Sequence, residues 1–356
     1  MSCCGPAEEA RSGTTHRVQP VAGPRGQGPA GPGSDTDPDA AAARGAHLVA
    51  LARRRGVGTQ PRWRTVPAGA FVMGSDRGEG YHEDGEGPAR RVDVSAVELS
   101  WSPLTVAQFA AFVAATGYVT VAERAGWSYV FAGHVDEGAA VLPGLVAGAP
   151  WWRPVAGATW WAPGGIRPAV DRLDHPVVHL AWADAVAVAG WYDARLPTEA
   201  EWEKAARGGL EQARYPWGEE LTPGGVHQAN IWQGSFPERD EAEDGYAGTS
   251  PVGQYPPNGH GLVDVAGNVW EWCADWFSPR WHVTARPATR IDPVGPSSGR
   301  DRVVRGGSHL CHASYCHRYR VAARSHEEPG STTSHLGVRL ARRPEAPGGA
   351  TVGGGG

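Results

Sequence analysis

The sequence predicts an irregular, loop-rich α+β fold, with one folded domain between two low-complexity ends. Its 356 residues include 50 Gly and 30 Pro, which interrupt helices and strands, so much of the chain must lie in turns and loops. Short segments with strand alternation and with helical spacing are mixed along the central part. The 16 Trp, against 6 Phe, supply large apolar side chains that can hold such loops together.

Composition divides the chain into three segments. Residues 1–58 are rich in Gly, Pro and Ala and are predicted to be a disordered extension, with room for a short helix at Ala40–Arg55. Residues 59–343 contain no repeat or linker and are expected to form the catalytic domain, and residues 344–356 form a flexible Gly-rich tail. Cys3 and Cys4 are interpreted as incidental thiols, with metal delivery as the alternative.

Charge and cysteine content restrict the function. The net charge of -5 gives no support for a nucleic-acid partner. No apolar run reaches the roughly 18 residues of a membrane span, and Met1–Arg44 lacks the apolar core of a signal peptide. We therefore expect a cytoplasmic protein. We also expect it to act as a monomer. An odd number of Cys, five, argues against a disulfide framework and makes a close pair more typical of metal or redox chemistry.

The first regular elements are short. Alternating apolar and polar residues predict strands at Trp63–Met73 and Arg91–Leu99. Apolar residues at helical spacing predict a helix at Thr105–Thr116. The apolar run Val177–Leu180 leads into a second helix at Trp182–Asp193.

A third helix has the clearest start and stop signals. Thr198 is expected to be its N-cap, Glu199 places negative charge in the first turn, and Gly208 ends it. The rest of the chain is rich in loops, with short strands predicted at Arg302–Arg305 and Gly337–Leu340.

The strongest chemical signal is the segment 305–324, which contains Cys311 and Cys316. Five positions apart, these residues would lie on opposite faces of a strand and about 140° apart on a helix, so neither regular element brings both sulfurs to one point. A bent loop would do so, and Gly306-Gly307 supplies the backbone freedom. Nearby cations would lower the thiol pKa values and favour the thiolates. The segment holds four: Arg305, Arg318, Arg320 and Arg324.

Two converging thiolates suit a soft metal ion. Cu(I) is expected if no further nitrogen or sulfur ligand joins them. Zn²⁺ usually takes four ligands, and four histidines near the pair could complete that set: His309, His312, His317 and His326. On the residues alone, a copper pair, a zinc site and two buried inert cysteines all stay open.

The segment from Gly306 to Arg320, with Gly-Gly-Ser followed by Cys-His-Ala-Ser-Tyr-Cys, resembles the active-site segment of formylglycine-generating enzymes. The similarity extends over residues 62–342 and includes Arg195–Trp202 and Gly267–Trp272. Those two stretches are typical of the wider sulfatase-modifying-factor fold, whereas Cys-X4-Cys is specific to the formylglycine branch. The resemblance implies a fold like that of C-type lectins.

The same resemblance implies a copper-dependent oxidase that activates sulfatases. It would use O₂ to convert the cysteine of a Cys-X-Pro-X-Arg motif, in an unfolded or nascent sulfatase, to Cα-formylglycine. Cys311 and Cys316 would be the Cu(I) ligands, and the substrate thiol would be a third. Cys316 matches the deeper cysteine of the family and Cys311 the more reactive one. Ser308 and Trp270 match residues that line the oxygen and substrate pocket, and Tyr315 is a further candidate for its wall.

The resemblance also implies two structural calcium sites. Carboxylates and loop carbonyls are the hard oxygen ligands that suit Ca²⁺. One implied ligand set is Asn230, Ile231, Asp244 and Tyr246. The other is Asp264, Val265, Gly267, Val269 and Glu271, with the middle three binding through carbonyls. On the residues alone, these acids would be solvated loop residues.

Other notable residues receive structural interpretations. His175 and His179 are expected to be structural, because the proline and two valines between them disfavour a helix. Cys273 is expected to be a small buried hydrophobe. His335 stands where the family commonly has Asn, and Val338 where it has Phe. These departures affect the expected binding of the peptide more than the chemistry.

Three alternatives stand beside the oxidase. A non-catalytic binding protein on the same fold would lack the paired cysteines, which are both present here. A sulfoxide synthase of thiol-histidine biosynthesis would need an N-terminal iron-binding helical domain, for which residues 1–60 are too short. A zinc-binding protein could use the same pair.

Overall fold

The computed structural model describes residues 36–344, and its longest helix precedes the predicted domain. Helix α1 (Pro38–Arg55) begins at Asp37, whose carboxylate accepts a hydrogen bond from the Asp39 N–H at 3.0 Å, and is closed by Gly56. The short helix is confirmed, but the prediction of disorder up to residue 58 is wrong for residues 38–55. The predictions for Cys3, Cys4 and the tail beyond residue 344 concern residues outside the described range.

Helix α1 is ordered because it packs closely on helix α2 (Val106–Thr116). Three of its four buried residues are Ala or Gly and the fourth is Leu48, and at Gly45 an added Cβ would lie 2.6 Å from the backbone nitrogen of Ala114. Ala, Gly and Leu48 therefore form a docking face here, although Ala and Gly also give the segment its low-complexity composition.

The first two predicted strands are each divided into two. The observed strands are β1 (Trp63–Val66), β2 (Gly69–Met73), β3 (Arg90–Val94) and β4 (Val97–Ser100). β1 pairs with β4 and β2 with β3, both antiparallel, so the chain leaves one sheet for another between β1 and β2. Pro67 lies at that break, and it has no N–H to continue a ladder.

The predicted helices are confirmed with small shifts. Four further helices follow α2: α3 (Val121–Ala125), α4 (Trp182–Trp191), α5 (Glu199–Arg207) and α6 (Pro287–Arg290). Thr105 and Thr198 cap α2 and α5, each in a reciprocal capping box with the residue three positions later. Helix α4 ends two residues before the predicted Asp193, which has φ +51°.

Two hairpins and a four-stranded sheet complete the fold, and the sheet positions the cysteine loop. The hairpin strands are β5 (Trp127–Phe131), β6 (Trp152–Ala156), β7 (Gly234–Ser235) and β8 (Arg239–Asp240). The sheet strands are β9 (Trp270–Trp276), β10 (Arg302–Arg305), β11 (Ser325–Glu327) and β12 (Leu336–Gly337), in the order β11-β10-β9-β12. Residues 306–324 thus connect two adjacent strands. Strand β13 (Ala341–Arg342) joins β4, so the predicted strand at Gly337–Leu340 is displaced.

Tryptophan dominates the interior, as composition predicted. The largest fully buried side chains include five of them: Trp152, Trp160, Trp202, Trp270 and Trp272. The main apolar cluster contains Cys311 and Cys316, so the loop that carries them belongs to the core. None of the described helices is long and apolar enough to cross a membrane.

Candidate active site

The cysteine loop is anchored at both ends by one carboxylate of helix α5. Arg305, at the end of β10, donates to Glu199 Oε1 at 2.7 Å, and Arg324, just before β11, donates to both Glu199 oxygens at 2.5 and 2.8 Å. All three side chains are buried. Burial alone would raise the pKa of Glu199, but the charges of Arg324 and Arg305 lower it. Glu199 is therefore a buried anchor, beyond its predicted place in the first turn of the helix.

Two glycines turn the chain into the core as the loop begins. Gly306 and Gly307 have φ values of +96° and +75°, a region that residues with a Cβ rarely adopt. An added Cβ at Gly306 would lie 3.2 Å from the Trp202 ring, and one at Gly307 would lie 3.1 Å from the Tyr319 backbone. The predicted role of this dipeptide is confirmed.

The bent loop brings the two sulfurs together, as the spacing predicted. Cys311 N–H donates to the Ser308 carbonyl at 2.9 Å, and Cys316 N–H donates to the His312 carbonyl at 2.8 Å, so two successive turns fold the segment back on itself. The two Sγ atoms lie 3.2 Å apart. Both cysteines are buried and unbridged.

The surroundings favour a thiolate at this pair. The contact with Cys311 lowers the pKa of Cys316 to about 6, against burial, and the charge of Arg318 acts in the same direction. A thiol normally titrates near 8.5. At neutral pH the pair thus holds at least one negative charge that a cation could neutralise.

Only part of the predicted arginine effect is seen. Arg318 acts on Cys316 while its guanidinium is bound to Asp84 at 2.6 Å. The other three arginines are held by carboxylates: Arg305 by Glu199 and Glu203, Arg320 by Glu86, and Arg324 by Glu199. For Cys316, Arg318 is the arginine seen to act, while tertiary ion pairs invisible to the sequence take up the charges of the other three.

Ser308 is in direct contact with the pair. Its backbone N–H donates to the Sγ of Cys311 at 3.4 Å, and its hydroxyl accepts from the Leu310 N–H at 3.2 Å. The side chain is fully buried. Ser308 can therefore stabilise charge on Cys311 while fixing the turn that precedes it.

An aromatic wall encloses Tyr315. Its ring stacks on Phe236, with centroids 4.1 Å apart and planes 9° apart, and meets Trp151 edge to face at 5.0 Å. Trp270 lies in the same buried cluster as the two cysteines, and its indole N–H has no hydrogen-bond partner. The sequence indicated Tyr315 and Trp270 but missed Phe236 and Trp151. The only available signal was the density of aromatic residues in the loops.

His335 lies against Trp152, with ring centroids 4.6 Å apart, and its Nδ1 pairs with the Thr333 hydroxyl at 2.7 Å. Burial lowers its pKa to about 3, and the charge of Cys316 opposes that shift. A neutral imidazole thus stands near the thiol pair, where the family commonly has an amide.

The four histidines near the pair have other contacts. His309 Nδ1 pairs with the Asn268 carbonyl at 2.8 Å, and His317 Nε2 pairs with the Glu79 carbonyl at 2.5 Å. His312 Nδ1 pairs with the Ser314 hydroxyl at 2.8 Å, and His326 Nδ1 lies 3.1 Å from the Asp301 carboxylate. Residues 36–344 contain no group of three or more His, Cys, Asp or Glu able to hold a metal. The donor set is two soft thiolates, which fits Cu(I) better than Zn²⁺.

The first implied calcium site has a free oxygen where one is needed. Asn230 is buried, its amide N–H₂ donates to the Gly248 carbonyl, and its Oδ1 has no partner. Asp244 lies beside it, accepting from the Ile231 N–H at 3.2 Å and the Tyr246 N–H at 3.0 Å. The four residues are therefore brought together, and a cation would satisfy the Asn230 oxygen.

The second implied site fits less completely. Asp264 Oδ1 is buried without a partner, and burial raises the pKa of this carboxyl to about 6, so a cation would be favourable there. Glu271, in contrast, already accepts hydrogen bonds from Arg339 at 2.8 Å and from Trp202 Nε1 at 2.6 Å. Its side chain does not fit the predicted role of a free ligand. The contribution of Val265, Gly267 and Val269 would come from their carbonyls.

The residues predicted to be structural are all engaged or buried. His179 has φ +63° and pairs with the Ser128 hydroxyl at 2.7 Å and the Pro163 carbonyl at 3.0 Å. His175 pairs with the Thr249 hydroxyl at 2.9 Å. Cys273 is buried and free, and burial raises its pKa, so its thiol stays protonated.

Comparison with known proteins agrees with this geometry. The sequence profile described as the sulfatase-modifying factor enzyme 1-like domain matches residues 49–344. The chain belongs to the formylglycine-generating, sulfatase-modifying factor family. The resemblance noted in the segment from Gly306 to Arg320 is thereby confirmed over most of the molecule.

Relatives within the family are close. The formylglycine-generating enzyme of Thermomonospora curvata is 59% identical over 280 residues, covering 78% of this chain and 92% of that protein. The enzyme of the same name from Streptomyces coelicolor is 53% identical over 277 residues, covering 78% and 87%. The chain is therefore an enzyme of the formylglycine-generating class. A mouse relative named inactive Cα-formylglycine-generating enzyme 2 is more distant, at 41% over 281 residues.

The fold class is confirmed independently. The solved structure of PvdO from Pseudomonas aeruginosa matches 80% of this chain and 95% of its own, with a TM-score of 0.57 and 23% identity. This family fold is a loop-rich α+β domain of the C-type-lectin-like kind. At that identity the likeness concerns the fold alone.

Proposed function

We propose that this enzyme converts a cysteine of a sulfatase to Cα-formylglycine in a copper-dependent reaction with O₂. The observation that carries the proposal is the Cys311–Cys316 pair: two buried, reduced sulfurs 3.2 Å apart, with the pKa of Cys316 lowered to about 6. The pair packs in the core and also offers two soft anionic donors at one point.

Copper would be held by the Sγ atoms of Cys311 and Cys316, and when bound it would supply the activation of dioxygen. The chain contributes the rest of the site. Ser308 holds Cys311 through its N–H. Tyr315, Phe236 and Trp151 form an aromatic wall. The substrate thiol would enter as a third sulfur beside the pair.

The proposed chemical change is a two-electron oxidation at the substrate. The –CH₂–SH group loses two electrons and two protons, giving a thioaldehyde, and O₂ is the electron acceptor. Water then adds to the thioaldehyde carbon and sulfur leaves as hydrogen sulfide, so the product is the aldehyde. Trp270 and Tyr315 are proposed to border the space in which the substrate carbon and O₂ meet, in keeping with their place in the buried cluster of the cysteines.

The substrate proposed is an unfolded or nascent sulfatase with a Cys-X-Pro-X-Arg motif. Before folding, the motif is accessible as an extended chain and can reach a buried pair of thiols. We further propose that the enzyme acts in the cytoplasm as a monomer. The reduced state of all three cysteines in the described part of the chain supports a reducing compartment.

Two structural calcium ions are proposed as part of the active protein. Asn230 and Asp264, each with a buried oxygen that lacks a partner, are the side chains best suited to hold them. Ile231, Asp244 and Tyr246 would complete the first site, and backbone carbonyls the second. Both sites adjoin loops that pack against residues 306–311.

The second candidate function is a non-catalytic binding protein on the same fold. The naming of a 41% identical relative as inactive is the reason to keep it in view. The two functions differ in what they require of Cys311 and Cys316, since a binding protein has no need of a thiolate pair.

The test is a turnover assay with the full chain loaded with Cu(I). A peptide containing Cys-X-Pro-X-Arg is supplied with O₂, and mass spectrometry follows loss of the thiol and gain of an aldehyde. Hydrazide capture of the product confirms the aldehyde. Binding of the peptide without any aldehyde, in protein shown to hold copper, would favour the non-catalytic alternative.

A further inference from the structure

A polar cavity of about 380 Å³ lies among residues that the proposed reaction does not use. Its lining includes His134 and Asp136, the segment around Arg172, Thr249, His309 and Ser334. The volume is within the range of small-molecule sites, which start near 300 Å³.

His309 gives this cavity an unsatisfied acceptor. The residue is 2% exposed, and its Nδ1 pairs with the Asn268 carbonyl at 2.8 Å. A carbonyl only accepts, so Nδ1 carries the proton of the imidazole, and a second proton on Nε2 would be a buried donor with no acceptor. Nε2 therefore presents a lone pair, and it is buried with no partner. Buried polar atoms of this kind usually have a partner, which points to a missing hydrogen-bond donor.

His134 faces His309 and repeats the arrangement. The two ring centroids are 5.4 Å apart, and His134 Nε2 pairs with the Ala247 carbonyl at 2.6 Å. Its Nδ1 is thereby left as a second acceptor. The cavity thus contains two neutral imidazoles that can receive hydrogen bonds.

The Arg172 guanidinium at the rim of the cavity supplies hydrogen-bond donors and a positive charge. Within residues 36–344 the Arg172 side chain has no hydrogen-bond or ion-pair partner, and it lines the same cavity as both imidazoles. The nearby Asp136 carboxylate is already taken by the Arg167 side chain and by two backbone N–H groups. The cavity therefore has an unpaired positive charge beside unpaired acceptors.

We propose that this cavity binds a small oxyanion that carries its own hydrogen-bond donor, either hydrogenphosphate or a hydroxycarboxylate. Its oxygens would pair with Arg172 and its hydroxyl would donate to His309 Nε2. A metal cation is disfavoured by the adjacent guanidinium and by the lack, among the described residues, of any three-ligand group.

Such a ligand would touch the catalytic loop without entering the thiol site. His309 lies between Ser308 and Cys311, and its backbone N–H also donates to the Asn268 carbonyl, at 3.0 Å. A ligand on its ring would add a third constraint at this position.

The proposal is tested by calorimetric titration of the copper-free full chain with matched anions. Inorganic phosphate, which keeps a proton at neutral pH, should bind at least tenfold tighter than sulfate, which has none, because only phosphate can donate to His309. Glycolate against acetate makes the same comparison for carboxylates, and a preference for one of the two donor-bearing ligands identifies the source. Equal binding of donor-bearing and donor-free anions would overturn the proposal.

Variants locate the binding. Arg172→Gln, at an exposed position, should weaken phosphate binding about tenfold or more, whereas Arg280→Gln, an exposed arginine of a different cavity, should leave it unchanged. His309→Phe should remove the preference for phosphate over sulfate. If that variant fails to fold, the Arg172 pair remains decisive. Unchanged phosphate binding in Arg172→Gln contradicts the assignment. Zn²⁺ is titrated separately. If the protein binds Zn²⁺ and both His134→Phe and His309→Phe lose that binding, the two histidines hold a metal cation and the assignment is likewise contradicted. None of these measurements needs turnover, so their failure leaves the proposed function untouched.

Discussion

At the scale of single residues, two opposite effects act on the pKa of Cys316 in the thiol pair. Burial of Cys316 disfavours a thiolate, yet its neighbour Cys311 and the charge of Arg318 lower its pKa to about 6. A buried anion without a counterion is costly. A soft cation bound by both sulfurs would therefore neutralise the buried charge and reduce that cost.

The first prediction follows from the pair. Cys316→Ser and Cys311→Ser should each abolish aldehyde formation and weaken Cu(I) binding, because each removes one of two sulfur ligands. Mass spectrometry of the peptide and metal analysis of the protein provide the readouts. Cys273→Ala, which removes a buried thiol outside the pair, should keep both properties. Normal turnover in either serine variant is incompatible with a two-thiolate site.

The second prediction concerns Asp275, a buried carboxyl that accepts from the Glu199 N–H at 2.8 Å. Burial and the charge of Glu199 raise its pKa to about 8, against about 3.9 for an unfolded Asp. Between these values the folded protein holds a proton that the unfolded chain has lost, so stability falls as pH rises from about 4 to about 8.

Asp275→Asn keeps the acceptor for the Glu199 N–H and removes the titration. Its free energy of unfolding should fall less steeply over that window, by on the order of 1 kcal/mol per pH unit. Chemical denaturation at a series of pH values measures this. Parallel pH profiles for both proteins would show that Asp275 does not titrate as described.

At the scale of elements, close packing of α1 on α2 gives a matched pair of substitutions. Gly45→Ala puts a methyl group 2.6 Å from the Ala114 nitrogen and should destabilise the protein by roughly 1–3 kcal/mol. Gly190→Ala, on helix α4 with no atom within 4 Å, should be neutral or stabilising by up to about 1 kcal/mol. Urea unfolding compares them. A shift of the same sign and size in both would mean that α1 does not dock as described.

The elements also show where local signals suffice. Helices α2 and α5 start and end at the predicted residues because caps and turns are encoded by neighbours in sequence, such as Thr198 and Gly208. The strands are less well predicted. The alternation over Trp63–Met73 is real, but its two halves pair with different partners, β4 and β3, and only the assembled sheets decide that.

At the scale of the whole molecule, bound calcium should stabilise the fold by linking loops that are distant in sequence. Chelation should lower the melting temperature, since a ligand at a hundredfold excess over its dissociation constant contributes about 2.7 kcal/mol. Asp264→Ala should reduce the calcium-dependent shift, because Oδ1 of this buried residue has no other partner. Asp171→Ala, at an exposed acid, is the control and should keep the full shift. A melting temperature that changes with neither chelator nor added Ca²⁺ would contradict the proposal of structural calcium.

The sequence by itself determined the family, the loop-rich α+β class and the two residues at the centre of the site. These depend on local facts: glycines that force a turn, a spacing that no helix or strand can satisfy, and motifs matched residue by residue. The spacing of Cys311 and Cys316 also meant that, if the two converge, the loop must bend.

Tertiary structure alone decided which charges act on that pair and what encloses it. Four arginines are adjacent to the cysteines in sequence, yet carboxylates from residues 84–86 and from helix α5 take up three of them and also hold Arg318. Phe236 and Trp151 reach Tyr315 from distant loops. Ion pairs and packing depend on which segments meet in space, and in a chain with so few regular elements no local pattern encodes those meetings.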